Sequence, residues 1–270
     1  MQTRDVFVVG GVRVPFVKSM TSYLKVKNQD LMTASLNALV DRYNLANKKI
    51  GDVALGAVMN SSSNWNLARE CVLGTKLHPY TPAFNLQRAC GTSLEAAALL
   101  ALKIANHQIE SGIAAGVDTN SDLPFEVSEM FGEKLMQLNL AKTLSERLGI
   151  MLSFRPSDLK PKIPAVVEPR TLLSMGQHCE LMVQQWKLTQ KEQDEIAYHS
   201  HQNAVKAYED GFYTDLVVPF SGVEKDLLVR KETSLEKLAK LKPVFDKTGK
   251  GTLTAGNSSP LTDGSSAVLL

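Results

Sequence analysis

Cys90 is the residue whose surroundings best suit chemistry. It lies in Asn85-Leu86-Gln87-Arg88-Ala89-Cys90-Gly91-Thr92-Ser93-Leu94-Glu95-Ala96-Ala97-Ala98, where a strand-like run turns through glycine into an alanine-rich helix. A thiol at that point stands at a helix N-terminus, where unpaired backbone N–H groups and the positive end of the dipole favour the nucleophilic thiolate. The small residues that follow let the helix approach a sheet closely and leave room for a substrate. The same position also suits a small buried hydrophobe, so local sequence leaves two readings open. Cys71 and Cys179 lack the strand–turn–helix setting and read as core thiols.

Other chemistries have less support. Three cysteines are an odd number without CxxC spacing, which indicates neither a disulfide framework nor a zinc site and suits free thiols in a reducing compartment. His199 and His201 are two positions apart, so they point to different sides of a helix, and no metal is expected. Thirty Lys+Arg against 28 Asp+Glu leave a net charge of +2. That is far from the concentrated positive field of a nucleic-acid binder. The longest apolar stretches, such as Ala96 to Leu102, fall short of the roughly 20 residues that cross a bilayer. The opening run Val6 to Val12 follows an acid and stops at Arg13 and Pro15, so it reads as a strand rather than a signal peptide, and a cytoplasmic protein starting here is expected.

The elements that must position Cys90 follow α/β grammar. Val6 to Val12 and Asp52 to Met59 read as strands, with a helix over Gln29 to Tyr43 between them. A small-residue helix follows over Gly91 to Ala105, then a buried strand through Ser111 to Asp118. A mixed, mainly parallel sheet with helices on both faces is expected. From about Leu123 the composition shifts to charged helix formers with methionines, and then to Pro156, Pro161, Pro164 and Pro169. This reads as an inserted, mainly helical loop subdomain over 123–242, between a first core part at 1–122 and closing strands at 243–270. Gln190 to Asp210 is a strong helix with a Thr189/Glu192 capping box, ended by Gly211. Ala267 to Leu270 reads as a last strand.

Six segments, in order, resemble the thiolase family. They are Gly11-Val12-Arg13-Val14-Pro15-Phe16, Arg88-Ala89-Cys90-Gly91-Thr92-Ser93, Gly112-Ile113-Ala114-Ala115-Gly116-Val117-Asp118 and Ser174-Met175-Gly176-Gln177. The others are Glu192 to Ala197 with Ser200-His201-Gln202, and Leu253 to Gly264. Within the family, Asn257-Ser258-Ser259-Pro260-Leu261-Thr262-Asp263 and Pro164-Ala165-Val166-Val167-Glu168-Pro169 resemble the long-chain 3-ketoacyl-CoA branch, the β subunit of the fatty-acid oxidation multienzyme complex.

The resemblance implies a thiolase-like fold and cleavage of a 3-ketoacyl-CoA through an acyl-enzyme on Cys90. Coenzyme A is then a substrate, and no cofactor is implied. It further implies that the insert holds CoA, with Ser174 and Met175 beside the pantetheine and acyl chain, Arg230 at the nucleotide end and Ser259 near the pantetheine. Read from the residues alone, Arg230 is equally a surface arginine, and the Asn257-Ser258-Ser259 turn a loop closed by Asx-type bonds. Ser174 stands where many family members have histidine. The family's His-Pro, Cys-Gly-Gly-Gly-like and Asn-Glu segments, which carry the remaining catalytic groups, are not in this sequence. The resemblance therefore implies an N-terminal domain with little or no turnover by itself, and an apolar face where the second domain would pack.

Implied partners are a second copy through the N-terminal domain and an α subunit with hydratase and dehydrogenase activities. Phe125 to Leu152 mixes leucines and methionines with lysines, as a peripheral membrane or partner surface would, although a helix covering its own subdomain has the same pattern. Two rival functions remain: a ketoacyl-synthase-type condensing enzyme, against which the charged, proline-rich insert argues, and a non-catalytic acyl-CoA-binding or scaffold domain.

Overall fold

The computed structural model describes residues 3–61, 64–124, 127–162 and 167–270. β3 (Asp52–Gly56) and β5 (Gly112–Asp118) are near-continuous runs of small and apolar residues, buried almost throughout. That composition suits strands covered on both faces, and the two pair in parallel with Gly56 opposite Gly116. β4 (Ala83–Asn85) pairs in parallel with the other side of β3. β6 (Thr262–Leu269) runs antiparallel between β5 and β1 (Gly10–Arg13), and β2 (Val17–Lys18) pairs with its start. Helices α1 (Asn28–Arg42) and α2 (Leu67–Leu73) cover the face that carries Val53, Leu55, Ile113 and Ala115. Helix α3 (Thr92–Ala105) covers the opposite face through Ala96, Leu100 and Ile104, against Ala54 and Ala114.

This is the mixed, mainly parallel sheet with helices on both faces that the sequence implies. β4, β3, β5 and β1 all run in one direction, and the closing strand β6 enters antiparallel between β5 and β1. Two strand boundaries differ. Residues 6–9 are outside β1, and Phe7, Val8 and Val9 are exposed, because the partners β6 offers to β1 run only from Ser266 to Leu269. β6 starts five residues before Ala267. Its polar beginning reads as turn, yet Asp263, Ser265, Ala267 and Leu269 alternate inward, with the Ser265 hydroxyl donating to the Leu31 carbonyl at 2.7 Å.

Between β5 and β6 the described chain contributes α4 (Glu129–Leu140), α5 (Leu144–Leu152), a 3-10 turn (Pro156–Leu159), α6 (Met175–Trp186), α7 (Gln190–Glu209) and α8 (Leu235–Ala239). α7 carries the expected capping box, Glu192 N–H donating to Thr189 Oγ1 and Thr189 N–H to Glu192 Oε2, and Gly211 follows with φ +74°. Residues 163–166, which include Pro164, Ala165 and Val166 of the branch motif, and Phe125 of the proposed amphipathic segment lie outside the described residues.

Two features set where the helical segment and α3 sit. The first is a row of small residues across the sheet, Gly56, Gly116 and Ser266, in register under the N-terminus of α3. A Cβ on Gly56 would reach 2.7 Å from Thr92 Cγ2 and strike the Leu86 carbonyl, and one on Gly116 would lie 2.7 Å from Ser93 Cβ. The second is Arg13, whose guanidinium grips both carboxylate oxygens of Asp226 at 2.6 and 2.7 Å. The same guanidinium lies over the rings of Phe16 and Tyr213. Asp226 also accepts from the Phe16 N–H at 2.8 Å. Both partners of the pair are largely buried. Burial pushes the Asp226 carboxyl up, but the Arg13 and Phe16 hydrogen bonds and the Arg13 charge outweigh it and hold it below the usual carboxylate range.

Gly116→Ala is expected to lower unfolding stability by about 1–3 kcal/mol, an overpacking cost, and to do so less in a Ser93→Gly background; urea denaturation of the double-mutant cycle measures both. Asp226→Asn is expected to cost about 2–4 kcal/mol at neutral pH by leaving Arg13 buried and unpaired. The Asp226 carboxyl titrates lower in the folded chain than in the unfolded one, so its contribution is full above the ordinary value of about 3.9 and disappears as pH falls through the depressed one. Urea curves for parent and variant should therefore converge in acid.

Candidate active site

The chain leaves β4 and turns sharply into α3. Leu86 N–H donates to the Leu55 carbonyl at 3.1 Å, the last sheet-like bond before the turn. Ala89 then adopts φ +43°, the left-handed region that costs a residue with a Cβ about 1 kcal/mol or more. Thr92, 4% exposed, locks this turn from inside. Its hydroxyl donates to the Ala89 carbonyl at 2.7 Å and accepts from the Arg88 N–H at 2.8 Å, while Gly91 N–H donates to the Arg88 carbonyl at 2.9 Å. Outside, Arg88 pairs with Glu95 in the first turn of α3 at 2.7 Å.

Cys90 is consequently exposed, one residue before the helix N-cap Gly91, and no side chain caps that end. A thiol held there faces the positive end of a 14-residue helix. The two other cysteines differ: Cys71 is buried, which pushes its thiol up to about 12, and Cys179 is half-buried within α6. One wall beside the turn is set by Asp118 at the end of β5. Its carboxylate accepts from the Val58 and Met59 N–H groups at 2.9–3.0 Å, and Gln87 Nε2 donates to the Val58 carbonyl at 2.9 Å. Burial raises the Asp118 carboxyl despite those two amide bonds.

A second cluster lies on the helical segment. Arg230 and Ser259 line one cavity of about 460 Å³, walled by Phe16, by Ile196, Ala197 and His201 of α7, and by the Ala255–Pro260 turn. The turn is held by Asn257, whose Nδ2 donates to buried Asp194 at 2.9 Å and whose Oδ1 accepts from the Thr254 N–H at 2.7 Å. Ser258 Oγ and Gln193 Oε1 are buried without a hydrogen-bond partner, and both residues line the cavity. One guanidinium, unsatisfied polar atoms and an apolar lining suit an elongated amphipathic ligand with an anionic end.

The structure brings Arg230 and Ser259 together but does not place Ser174 or Met175 among the residues lining that cavity, nor Cys90. Ser174 is committed to capping α6, its hydroxyl accepting from the Gln177 N–H at 3.3 Å and donating to Gln177 Oε1 at 3.1 Å. Met175 is exposed. His199 is exposed on α7, whereas His201 is half-buried and accepts a backbone hydrogen bond from Arg230. Thr92, Asp118, Gln193 and His201 escape sequence reasoning as site residues, although each lies in a segment that carries the family resemblance. Among the described residues no group of three His, Cys, Asp or Glu side chains could hold a metal ion, and no helix is long and apolar enough to cross a membrane.

Residues 6–270 match the family described as thiolase, N-terminal domain. A 3-ketoacyl-CoA thiolase of Photobacterium profundum is 40% identical over 275 residues, spanning 100% of this chain and 63% of that protein. One of Pseudoalteromonas translucida is 40% identical over 269 residues, spanning 97% of this chain and 62% of that protein. The crystal structure of the Bacillus anthracis acetyl-CoA acetyltransferase superposes with a TM-score of 0.80 at 26% identity, over 100% of this chain and 66% of that one. The chain thus spans less than two thirds of the length of these curated relatives. With the exposed cysteine at the start of α3 and the mixed sheet beneath it, the chain belongs to the thiolase family, as its N-terminal domain.

Proposed function

We propose that this chain supplies the nucleophile-bearing domain of a bacterial 3-ketoacyl-CoA thiolase of fatty-acid β-oxidation, working in the cytoplasm. The observation that carries the reading is Cys90, exposed before an uncapped 14-residue helix on a turn that keeps a left-handed alanine. The Cys90 thiolate adds to the 3-keto carbon of a 3-ketoacyl-CoA, and the bond between C2 and C3 breaks. The acyl group stays on sulfur as a thioester, and C2 gains a proton to leave as acetyl-CoA. A second CoA thiolate then attacks the thioester, releasing the shortened acyl-CoA and regenerating the cysteine.

In this reading 1–122 and 243–270 form the core and 123–242 the CoA-binding insert. Arg230 and Ser259 meet the nucleotide and pantetheine parts of CoA in their shared cavity. Ser174 and Met175 act from the start of α6, Ser174 by holding that helix and Met175 by presenting an exposed side chain. The family's base histidine, second cysteine and oxyanion segment are not in this sequence, and each such group is worth roughly 10² to 10⁴ in rate. The chain by itself is therefore a slow acyl acceptor. Exposed Phe7, Val8, Leu94 and Leu102 fit a face that a second domain covers.

The surfaces proposed for partners lie outside the residues that line the Arg230 and Ser259 cavity. Among the described residues β4 is the last strand of the sheet, its edge met by Asn66 Nδ2 at the Ala83 carbonyl, and such an edge strand suits pairing with a second copy. α4 and α5 pack on each other and bury no residue, with Met136, Leu140, Leu144 and Leu152 exposed. That favours contact with a membrane surface or an α subunit over a helix pair covering its own core.

Iodoacetamide is expected to alkylate Cys90 well before Cys71, and incubation with a 3-ketoacyl-CoA is expected to leave an acyl adduct on Cys90 by peptide mass spectrometry. Equal slow labelling of all three thiols, with no adduct, would indicate a scaffold instead. In flotation, the chain should rise with anionic vesicles and a Leu140→Ser, Leu144→Ser, Leu152→Ser variant should not; a parent chain that stays at the bottom removes the membrane contact.

A further inference from the structure

Arg230 lies in an irregular stretch, outside any helix or strand, and three residues of α7 strap that stretch down. The Arg230 N–H donates to Nδ1 of His201 at 3.3 Å, Gln202 Nε2 donates to the Lys231 carbonyl at 3.5 Å, and Glu209 pairs with Lys231 Nζ at 2.7 Å. Lys231 is thereby turned to its own partner, while Arg230 and His201 both line the cavity. They are the only titratable side chains among the described lining residues. Asp194 of α7, whose carboxylate accepts from the cavity-wall residue Asn257, is buried.

A ring nitrogen accepts a hydrogen bond only when it is unprotonated. The contact with Arg230 therefore requires a neutral His201 with its hydrogen on Nε2. Burial first, and the Arg230 charge second, hold His201 below the ordinary imidazole range, so this acceptor form prevails at neutral pH. Protonation would remove the acceptor and set a cation beside the guanidinium.

We propose that His201 is a positioning residue for the anionic end of the ligand. Its neutral imidazole fixes the Arg230 backbone so that the guanidinium faces the cavity, and its protonation releases that stretch. This rests on reading the cavity as the CoA site.

Calorimetric titration of the 270-residue chain with CoA tests it, using the parent, His201→Ala, His201→Asn and Arg230→Ala, with thermal unfolding recorded for each. His201→Ala should weaken CoA binding about three- to tenfold near neutral pH, the net worth of one hydrogen bond. His201→Asn keeps an acceptor at the δ position and should stay within about twofold by that same reasoning. As pH falls below the ordinary histidine range the parent should weaken more steeply than His201→Asn, because protonation of the CoA phosphate monoester near about pH 6 weakens both alike. Binding by His201→Ala equal to the parent, failure of His201→Asn to restore it, or a parent that binds more tightly in acid overturns the positioning role while leaving the cavity reading intact. No binding by the parent, or an Arg230→Ala variant that binds like the parent, overturns the cavity reading and this inference with it.

Discussion

Helix α3 begins closer to the sheet than any side chain on Gly56 or Gly116 would allow, and the exposed thiol depends on that approach. With the two glycines in register across β3 and β5, Thr92 and Ser93 settle directly onto the strand ends. Thr92 is then buried deeply enough for its single hydroxyl to bond both flanks of the turn, the Ala89 carbonyl and the Arg88 N–H. Those bonds offset the left-handed backbone at Ala89, and the left-handed residue swings Cys90 outward. A cysteine at the same point of a helix that stood one side chain farther from the sheet would lose that lock.

The cavity on the helical segment depends on a different set of contacts, all long in sequence and mostly charged or polar. Arg13 and Asp226 join the first strand to the stretch that carries Arg230. Glu180, nearly fully buried, accepts from the Thr252 N–H and hydroxyl and the Leu253 N–H, fastening α6 to the chain that leads into β6. Asp194 and Asn257 fasten α7 to the following turn. Buried carboxylates surrounded by donors suit this task, because their geometry is specific where apolar contact would allow sliding. These directional bonds act together with Val218, Phe220 and Val223, which pack into the main core, Phe220 edge-on to Tyr23, and the cavity opens beside those ties.

Much of this was legible in advance, unevenly. The α3 and α7 segments could be read within a residue or two, because alanine-rich periodicity, Thr189 with Glu192, and Gly211 are local signals. The start of β6 was not legible, since Thr262-Asp263-Gly264-Ser265-Ser266 has turn composition, and only its place between two strands makes it extended. Of the candidate site residues, Cys90 had a legible place, at the turn into α3. Arg230 and Ser259 rested on resemblance, and Ser174 and Met175 fall outside the cavity those two share. His201 was readable only as a helix histidine, because its partner lies 29 residues away.

The α/β alternation, the helices and their caps, the cysteine at the start of α3, and the family are all written in the order of the residues. They depend on neighbours a few positions apart, which local sterics and hydrogen bonding settle. The order and direction of the strands, and the seating of α3 on two facing glycines, arise only when the chain folds. So does the meeting of Arg230, Ser259 and His201 around one cavity. Those outcomes depend on pairs brought together across tens to hundreds of residues, where the cost of close approach is set by what the opposing surface happens to carry.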